Sequence, residues 1–203
     1  MKLTWLGHSC FLIEEAGFTI AVDPFRGVRG YRDSECEANF VVCSHQHGDH
    51  NAVDLVRMTP AKVPNPFYIK EIHCFHDEAR GSKRGPNVIR VFCANGVRVA
   101  HLGDLGHVLS PEQAAEVGRL DAVLIPVGGH FTIDAKEAAE VVRQLAPKAV
   151  IPMHYRKGEL GYDVIGTLDP FLEEMKGCPV TECGGNSVEI TGKEEGVFVL
   201  EYV

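Results

Sequence analysis

Apolar positions along the first part of the chain come in short runs: Lys2 to Leu6, Phe11 to Glu14, Phe18 to Val22, and Phe40-Val41-Val42-Cys43. Runs of four or five residues are too short for helices and predict β-strands. Val88 to Cys93 and Val97 to Leu102 flank Ala94-Asn95-Gly96. Asn-Gly tolerates the positive φ of a tight turn, so these two runs predict a hairpin. The period then changes. Ser110-Pro111-Glu112-Gln113 sets a capping hydroxyl, a first-turn proline and a reciprocal Gln in order, which starts a helix. Asp134-Ala135-Lys136-Glu137 repeats that logic, and Ala138, Val141, Val142 and Leu145 share one face before Ala146-Pro147 ends the element. A third helix is expected from Asp169 to Lys176, stopped by Gly177. Between the helices, Ala122 to Val127 and Ala149 to Met153 are continuous apolar runs, as strands covered on both faces require. Val188 to Ile190 and Val197 to Tyr202 predict a closing hairpin.

Strands first, then alternating helices and strands, predict two packed sheets with helices outside, an α+β sandwich. No repeat, low-complexity tract or linker divides the chain, so residues 1–203 read as a single domain. With 45% hydrophobic residues, that length buries a sizeable core. A formal charge of -8 works against phosphate-backbone binding, so no nucleic-acid partner is expected. No apolar run approaches the ~20 residues of a membrane span, and no basic region precedes an apolar stretch at the start. The expectation is a soluble, cytoplasmic protein with no membrane partner. Seven cysteines without a CxxC pair suggest reduced thiols rather than a disulfide framework or zinc ribbon.

The chemistry concentrates in Ser44-His45-Gln46-His47-Gly48-Asp49-His50-Asn51, immediately after a strand. In extended backbone, residues two apart point the same way, so His45 and His47 address one ion. Gly48 permits a tight turn that sends Asp49 and His50 elsewhere, so two neighbouring ions fit one loop. A lone HxH is more often a solvated turn; HxHxDH is far more specific. Zinc takes neutral imidazole and carboxylate, typically four donors, so further ligands must come from elsewhere in the chain. His76 follows Ile72-His73-Cys74-Phe75, Asp104 ends His101-Leu102-Gly103-Asp104, and His154 follows Val150-Ile151-Pro152-Met153. All three close apolar runs and would converge on one rim.

This set, HxHxDH at 45 to 50 with His76, Asp104 and His154, resembles the metallo-β-lactamase-fold hydrolase superfamily nearly end to end. The resemblance implies a four-layer αββα sandwich with two metals at the sheet edges. By position, His45, His47 and His76 resemble the ligands of the first metal, and Asp49, His50 and His154 those of the second. Asp104 resembles the carboxylate bridging both, and Asp23, closing Ile20-Ala21-Val22-Asp23-Pro24, the aspartate that supports the metal loop. Leu6-Gly7-His8-Ser9, Val22-Asp23-Pro24-Phe25, Gly103-Asp104-Leu105-Gly106 and Ile151-Pro152-Met153-His154-Tyr155 resemble the compact branch that includes L-ascorbate 6-phosphate lactonases. The implied reaction is metal-assisted hydrolysis, in which two ions acidify a bound water, position the hydroxide and polarise the oxygen attacked. Asp49 or Asp104 would pass a proton to the leaving group. His47, where a di-iron branch carries Glu, favours two Zn2+ ions, with Mn2+ the alternative.

Asp77 to Asn87 forms a basic, glycine-containing loop after His76. Arg80, Lys83 and Arg84 are candidates to grip a phosphate or carboxylate, with Asn87 as a further polar contact; the plain alternative is a solvated charged loop. His8, and His130 in Gly128-Gly129-His130-Phe131-Thr132, are expected to face the substrate, whereas His73, His101 and His107 read as structural and Trp5 and Phe11 as core. The expected function is hydrolysis of a small, anionic ester, lactone or phosphodiester. A superfamily nuclease would need a basic arm or insertion that this acidic chain does not show, and a non-catalytic metal binder a degraded ligand set. Self-association is left open.

Overall fold

The computed structural model describes residues 1–203. Strands β1 (Lys2–Gly7), β2 (Cys10–Glu15), β3 (Phe18–Val22), β4 (Cys36–Ala38), β5 (Phe40–Val42) and β6 (Val56–Met58) come first. Then follow β7 (Tyr68–Phe75), β8 (Pro86–Ala94), β9 (Val97–His101), α1 (Pro111–Val117), β10 (Ala122–Pro126), α2 (Ala135–Leu145) and β11 (Ala149–Met153). The chain closes with α3 (Asp169–Glu174), β12 (Val180–Glu182), β13 (Ser187–Glu189) and β14 (Gly196–Val199).

One sheet runs β13-β1-β2-β3-β5, and the other β12-β14-β11-β10-β9-β8-β7. In the first, Leu12 lies opposite Ala21 and Ala21 opposite Val41, so alternation puts these three on one face. Phe11, Ile13, Ile20 and Val22 take the other face and enter a 49-residue hydrophobic cluster that runs from Met1 to Leu200 and joins both sheets. The first face packs on Ala38 and Val56, so the parallel pair β4 and β6 covers it; a 3-10 turn at Val53–Leu55 leads into β6. All three α-helices arise from the C-terminal half of the chain.

In the second sheet β12, β14, β11, β10 and β9 run parallel, and β8 pairs antiparallel with both β9 and β7. Every residue of β10 and β11 is buried, as strands covered on both faces must be. Ser110 and Gln113 form the reciprocal cap of α1, and Asp134 accepts from the backbone N–H groups of Lys136 and Glu137 at α2. Helix α3 starts at Asp169 as expected but stops at Glu174.

The closing hairpin does not form. β13 pairs antiparallel with β1 in the first sheet, and β14 pairs parallel with β11 in the second. Burial decides this: Val197 and Val199 are buried, Ser187 and Glu189 are exposed, so each segment joins the sheet edge that suits its apolar content. Turn propensity between two apolar runs carried no information about which sheet each would extend.

The topology gathers strand ends. Gly7 ends β1 and His8 follows it, Asp23 follows β3, His45 to His50 follow β5, His76 follows β7, Asp104 follows β9 and His154 follows β11. Backbone bonds bind these ends together: Val88 N–H donates to Ser44 O at 3.0 Å, Asp23 N–H to Val42 O at 3.0 Å, and His154 N–H to His8 O at 3.2 Å.

A bulge at Trp5/Gly7 shifts the β1–β2 register and re-aims the residue that follows. Gly7 has φ +109°, and a Cβ there would stand 2.6 Å from the Tyr31 ring. Gly7→Ala combines a disallowed backbone with an overpacking clash and is expected to cost about 2–4 kcal/mol of unfolding free energy in a urea titration. A loss below about 0.5 kcal/mol would show that the bulge tolerates a side chain.

Candidate metal centre

Asp23 is fully buried, with a left-handed backbone at φ 50°. Its Oδ1 accepts from Ser44 N–H at 2.5 Å, and its Oδ2 accepts from the Ser44 hydroxyl at 2.5 Å and lies 3.0 Å from His50 Nδ1. The Ser44 hydroxyl, having given its proton to Asp23, accepts from His45 Nδ1 at 2.9 Å. His76 Nδ1 donates to Phe131 O at 3.1 Å. Three imidazoles therefore have their outer nitrogens tied, a network that fixes the tautomer with the Nε2 lone pair directed inward. Gly103, at φ +56°, lets the β9 end pass Ser44; a Cβ there would meet Ser44 Cβ at 2.4 Å.

Asp104 Oδ2 stands at the meeting point of these nitrogens. It is 3.2 Å from His50 Nε2, 3.2 Å from His76 Nε2, 3.4 Å from His154 Nε2 and 3.9 Å from His45 Nε2. His45, His47 and His76 offer ligand atoms within 4.8 Å of one another, and so do His8, His50 and His154. Asp49 Oδ2 lies 3.9 Å from His50 Nε2 and 3.5 Å from His8 Nε2. Two ligand groups thus face each other across one carboxylate.

Burial and charge act in opposite directions here. Burial opposes ionisation of Asp23, but His50, His101 and His45 outweigh it and hold the carboxyl at about 2. Burial would also raise Asp104; His154 and His50 instead keep it well below the usual carboxylate range. Burial pushes His45 down to about 3, reinforced by neighbouring His50, and pushes His8 down to about 4, reinforced by His154. His50 is the exception: burial opposes its proton, yet Asp104 and Asp23 together raise it well above the ordinary imidazole range.

Several of the inward atoms have no protein partner: His45 Nε2, both nitrogens of His154 and Asp104 Oδ1. Buried polar atoms are ordinarily satisfied, and a set of unpartnered lone pairs around an ionised carboxylate fits divalent cations.

The β-lactamase superfamily domain profile matches residues 2–154. The chain belongs to the β-lactamase superfamily. A UPF0173 metal-dependent hydrolase of Carboxydothermus hydrogenoformans is 30% identical over 191 residues, covering 76% of this chain and 84% of the relative. One from Pelotomaculum thermopropionicum is 31% identical over 196 residues with the same coverage. Among solved structures, a Thermotoga maritima protein assigned to the Zn-dependent hydrolases of the metallo-β-lactamase superfamily superposes with a TM-score of 0.78. It shares 38% identity and the match covers 98% of both chains. An isothiocyanate hydrolase from Delia radicum gut bacteria superposes at 0.69 with 14% identity over 100% of this chain and 97% of that one, a likeness of fold alone. The chain has the metallo-β-lactamase fold and is a metal-dependent hydrolase.

The substrate-side expectations divide in this superfamily member. Asn87 is fully buried, its amide donating to Leu102 O at 2.9 Å and Cys74 Sγ at 3.1 Å while its Oδ1 accepts from Asp104 N–H at 3.0 Å. It orients the Asp104 loop and has nothing left for a substrate, which corrects that expectation. Arg80 lines a hollow of about 480 Å³ with Phe75, Asp77, His107 and Gln113, and none of the candidate metal ligands borders that hollow. Lys83 is engaged with Glu78. Arg84 stays at the rim without an ion pair; its guanidinium donates to His130 O at 2.9 Å and lies 5.7 Å from the Phe131 ring centre. His130 is exposed beside it. His101 donates to Ser9 O and accepts from Gly103 N–H, and His107 accepts from Phe75 N–H, so both are structural.

Tyr162 escaped the sequence reading. Its hydroxyl donates to Asp49 Oδ2 at 3.1 Å, and its ring stands edge-on to His8 and Phe131. No apolar run precedes Gly161-Tyr162-Asp163. The loop is held by tertiary contacts, with Gly161 N–H donating to Arg29 O and Arg29 bonded to Glu159 and Asp163.

Asp23→Asn exchanges an acceptor-only carboxylate for an amide that cannot serve Ser44 and His50 together. Zn2+ affinity measured by chelator competition is expected to fall about 10–100-fold. A change below about twofold would show that Asp23 does not govern the ligand geometry.

Proposed function

We propose that this hydrolase holds two divalent cations, zinc at the first site at least, and cleaves a small anionic ester, lactone or phosphodiester. One observation carries the reading: a single carboxylate oxygen, Asp104 Oδ2, within 3.9 Å of four imidazole nitrogens drawn from both ligand groups. His45, His47 and His76 would hold the first ion, and Asp49, His50 and His154 the second. The zinc assignment is supported by the donor set of imidazole and carboxylate, and by the description of the Thermotoga maritima relative. Bound divalent ions supply Lewis acidity, which acidifies water and polarises the oxygen under attack.

The chain's own groups divide the remaining work. Asp104 is closed in, with a side chain only 3% exposed, and is committed to orienting ligands. Asp49 is 23% exposed on the open side and accepts from the Tyr162 hydroxyl, so of the two it is the better placed to take up the proton released by the attacking water and pass it to a leaving group. Arg84, free of any carboxylate, offers the rim cation for an anionic substrate. A net charge of -8 disfavours a nucleic-acid substrate and a small molecule is the partner we expect, in a cytoplasmic protein.

The test is one preparation, metal-depleted and then reloaded with Zn2+, assayed on matched anionic and neutral esters, lactones and phosphodiesters. The expected result is turnover only after loading, with the anionic member of a pair favoured about tenfold in kcat/KM. No turnover on the whole panel by protein carrying two ions per chain would exclude this substrate class.

A further inference from the structure

His8 follows the β1 bulge and is buried, 1% exposed, yet neither of its ring nitrogens has a hydrogen-bond partner. A buried imidazole left unsatisfied in that way is costly unless something else takes its lone pair. Its backbone is fixed for the purpose. At φ 50°, its carbonyl accepts from Trp5 Nε1 at 3.0 Å and from His154 N–H at 3.2 Å, so the His8 and His154 main chains are joined directly. The ring lies 4.2 Å from the His154 ring and 5.0 Å from the His50 ring, with Phe25 and Tyr162 edge-on around it. The ligand atoms of His8, His50 and His154 fall within 4.8 Å of one another.

Two donors about 2.1 Å from a common ion stand at most about 4.2 Å apart. His8 Nε2 and Asp49 Oδ2, at 3.5 Å, already meet that limit. We propose that His8 is itself a ligand of the second ion, joining Asp49, His50, His154 and Asp104. This rests on the two-cation reading above and deepens it. Five protein donors exceed a tetrahedral set, so the second site suits a five- or six-coordinate ion such as Mn2+, Fe2+ or Co2+, while the three-histidine first site keeps the four-coordinate geometry that suits zinc. The two positions then differ in metal preference within one chain.

The test compares full-length wild type with His8→Gly, which accepts φ 50° without strain, and with His8→Asn, which also tolerates it. Each is stripped and titrated with Co2+, following bound metal per chain after desalting, the visible absorption of each ion, and thermal unfolding of the metal-free protein. The proposal expects wild type to bind two ions. Each variant should keep one at wild-type affinity and bind the other at least tenfold more weakly, with the spectrum of that ion alone altered. Added imidazole should restore the second ion to His8→Gly. Two ions bound with unchanged affinities and spectra in both variants would overturn the role of His8 and leave the two-cation reading standing. Fewer than two ions on wild type would overturn both.

Discussion

Asp23 has two carboxylate oxygens and no exposure to water, and both oxygens are spent on the loop that carries His45, His47, Asp49 and His50. A buried ionised carboxylate is tolerated only when its oxygens are hydrogen-bonded, and here Ser44 N–H, the Ser44 hydroxyl and His50 Nδ1 supply three such bonds. The effect propagates outward. Through the Ser44 hydroxyl Asp23 reaches His45, directly it reaches His50, and both imidazoles are thereby turned with Nε2 toward Asp104. A ligand set placed this way is pre-organised: a cation does not have to order flexible side chains before it binds.

Backbone strain marks the same residues. His8, Asp23 and His154 each sit near φ +50°, a conformation that costs non-glycine residues about 1–3 kcal/mol apiece. The surrounding sheet fixes them. Phe11, Ile13, Ile20 and Trp5 are fully buried beneath the rim, and each such side chain contributes roughly 1.5–3 kcal/mol of hydrophobic stabilisation. Core packing at the strand middles therefore outweighs strain at the strand ends, and strained ends are where side chains leave the pleat to converge.

What the sequence made legible follows from the range of the interactions involved. The candidate ligands could be read because their segments follow apolar runs, with extended backbone pairing His45 with His47 and the Gly48 turn setting Asp49 and His50 apart. Helices α1 and α2 could be read because their caps are local hydrogen bonds. Asn87 misled because polarity in a loop does not reveal direction: its side chain turns inward to Asp104 N–H. Tyr162 and the tail strands were illegible for a related reason, since Tyr162 reaches Asp49 across 113 positions and β13 and β14 choose their sheets by which edge remains open.

The central claim is that one carboxylate, Asp104, joins two cation positions. Anomalous diffraction from crystals of Zn2+-loaded protein tests it most directly. Two peaks are predicted, one among His45, His47 and His76 and the other among His50, His154 and Asp49, both in contact with Asp104. A single peak in fully loaded crystals, or two that do not share Asp104, would contradict the account.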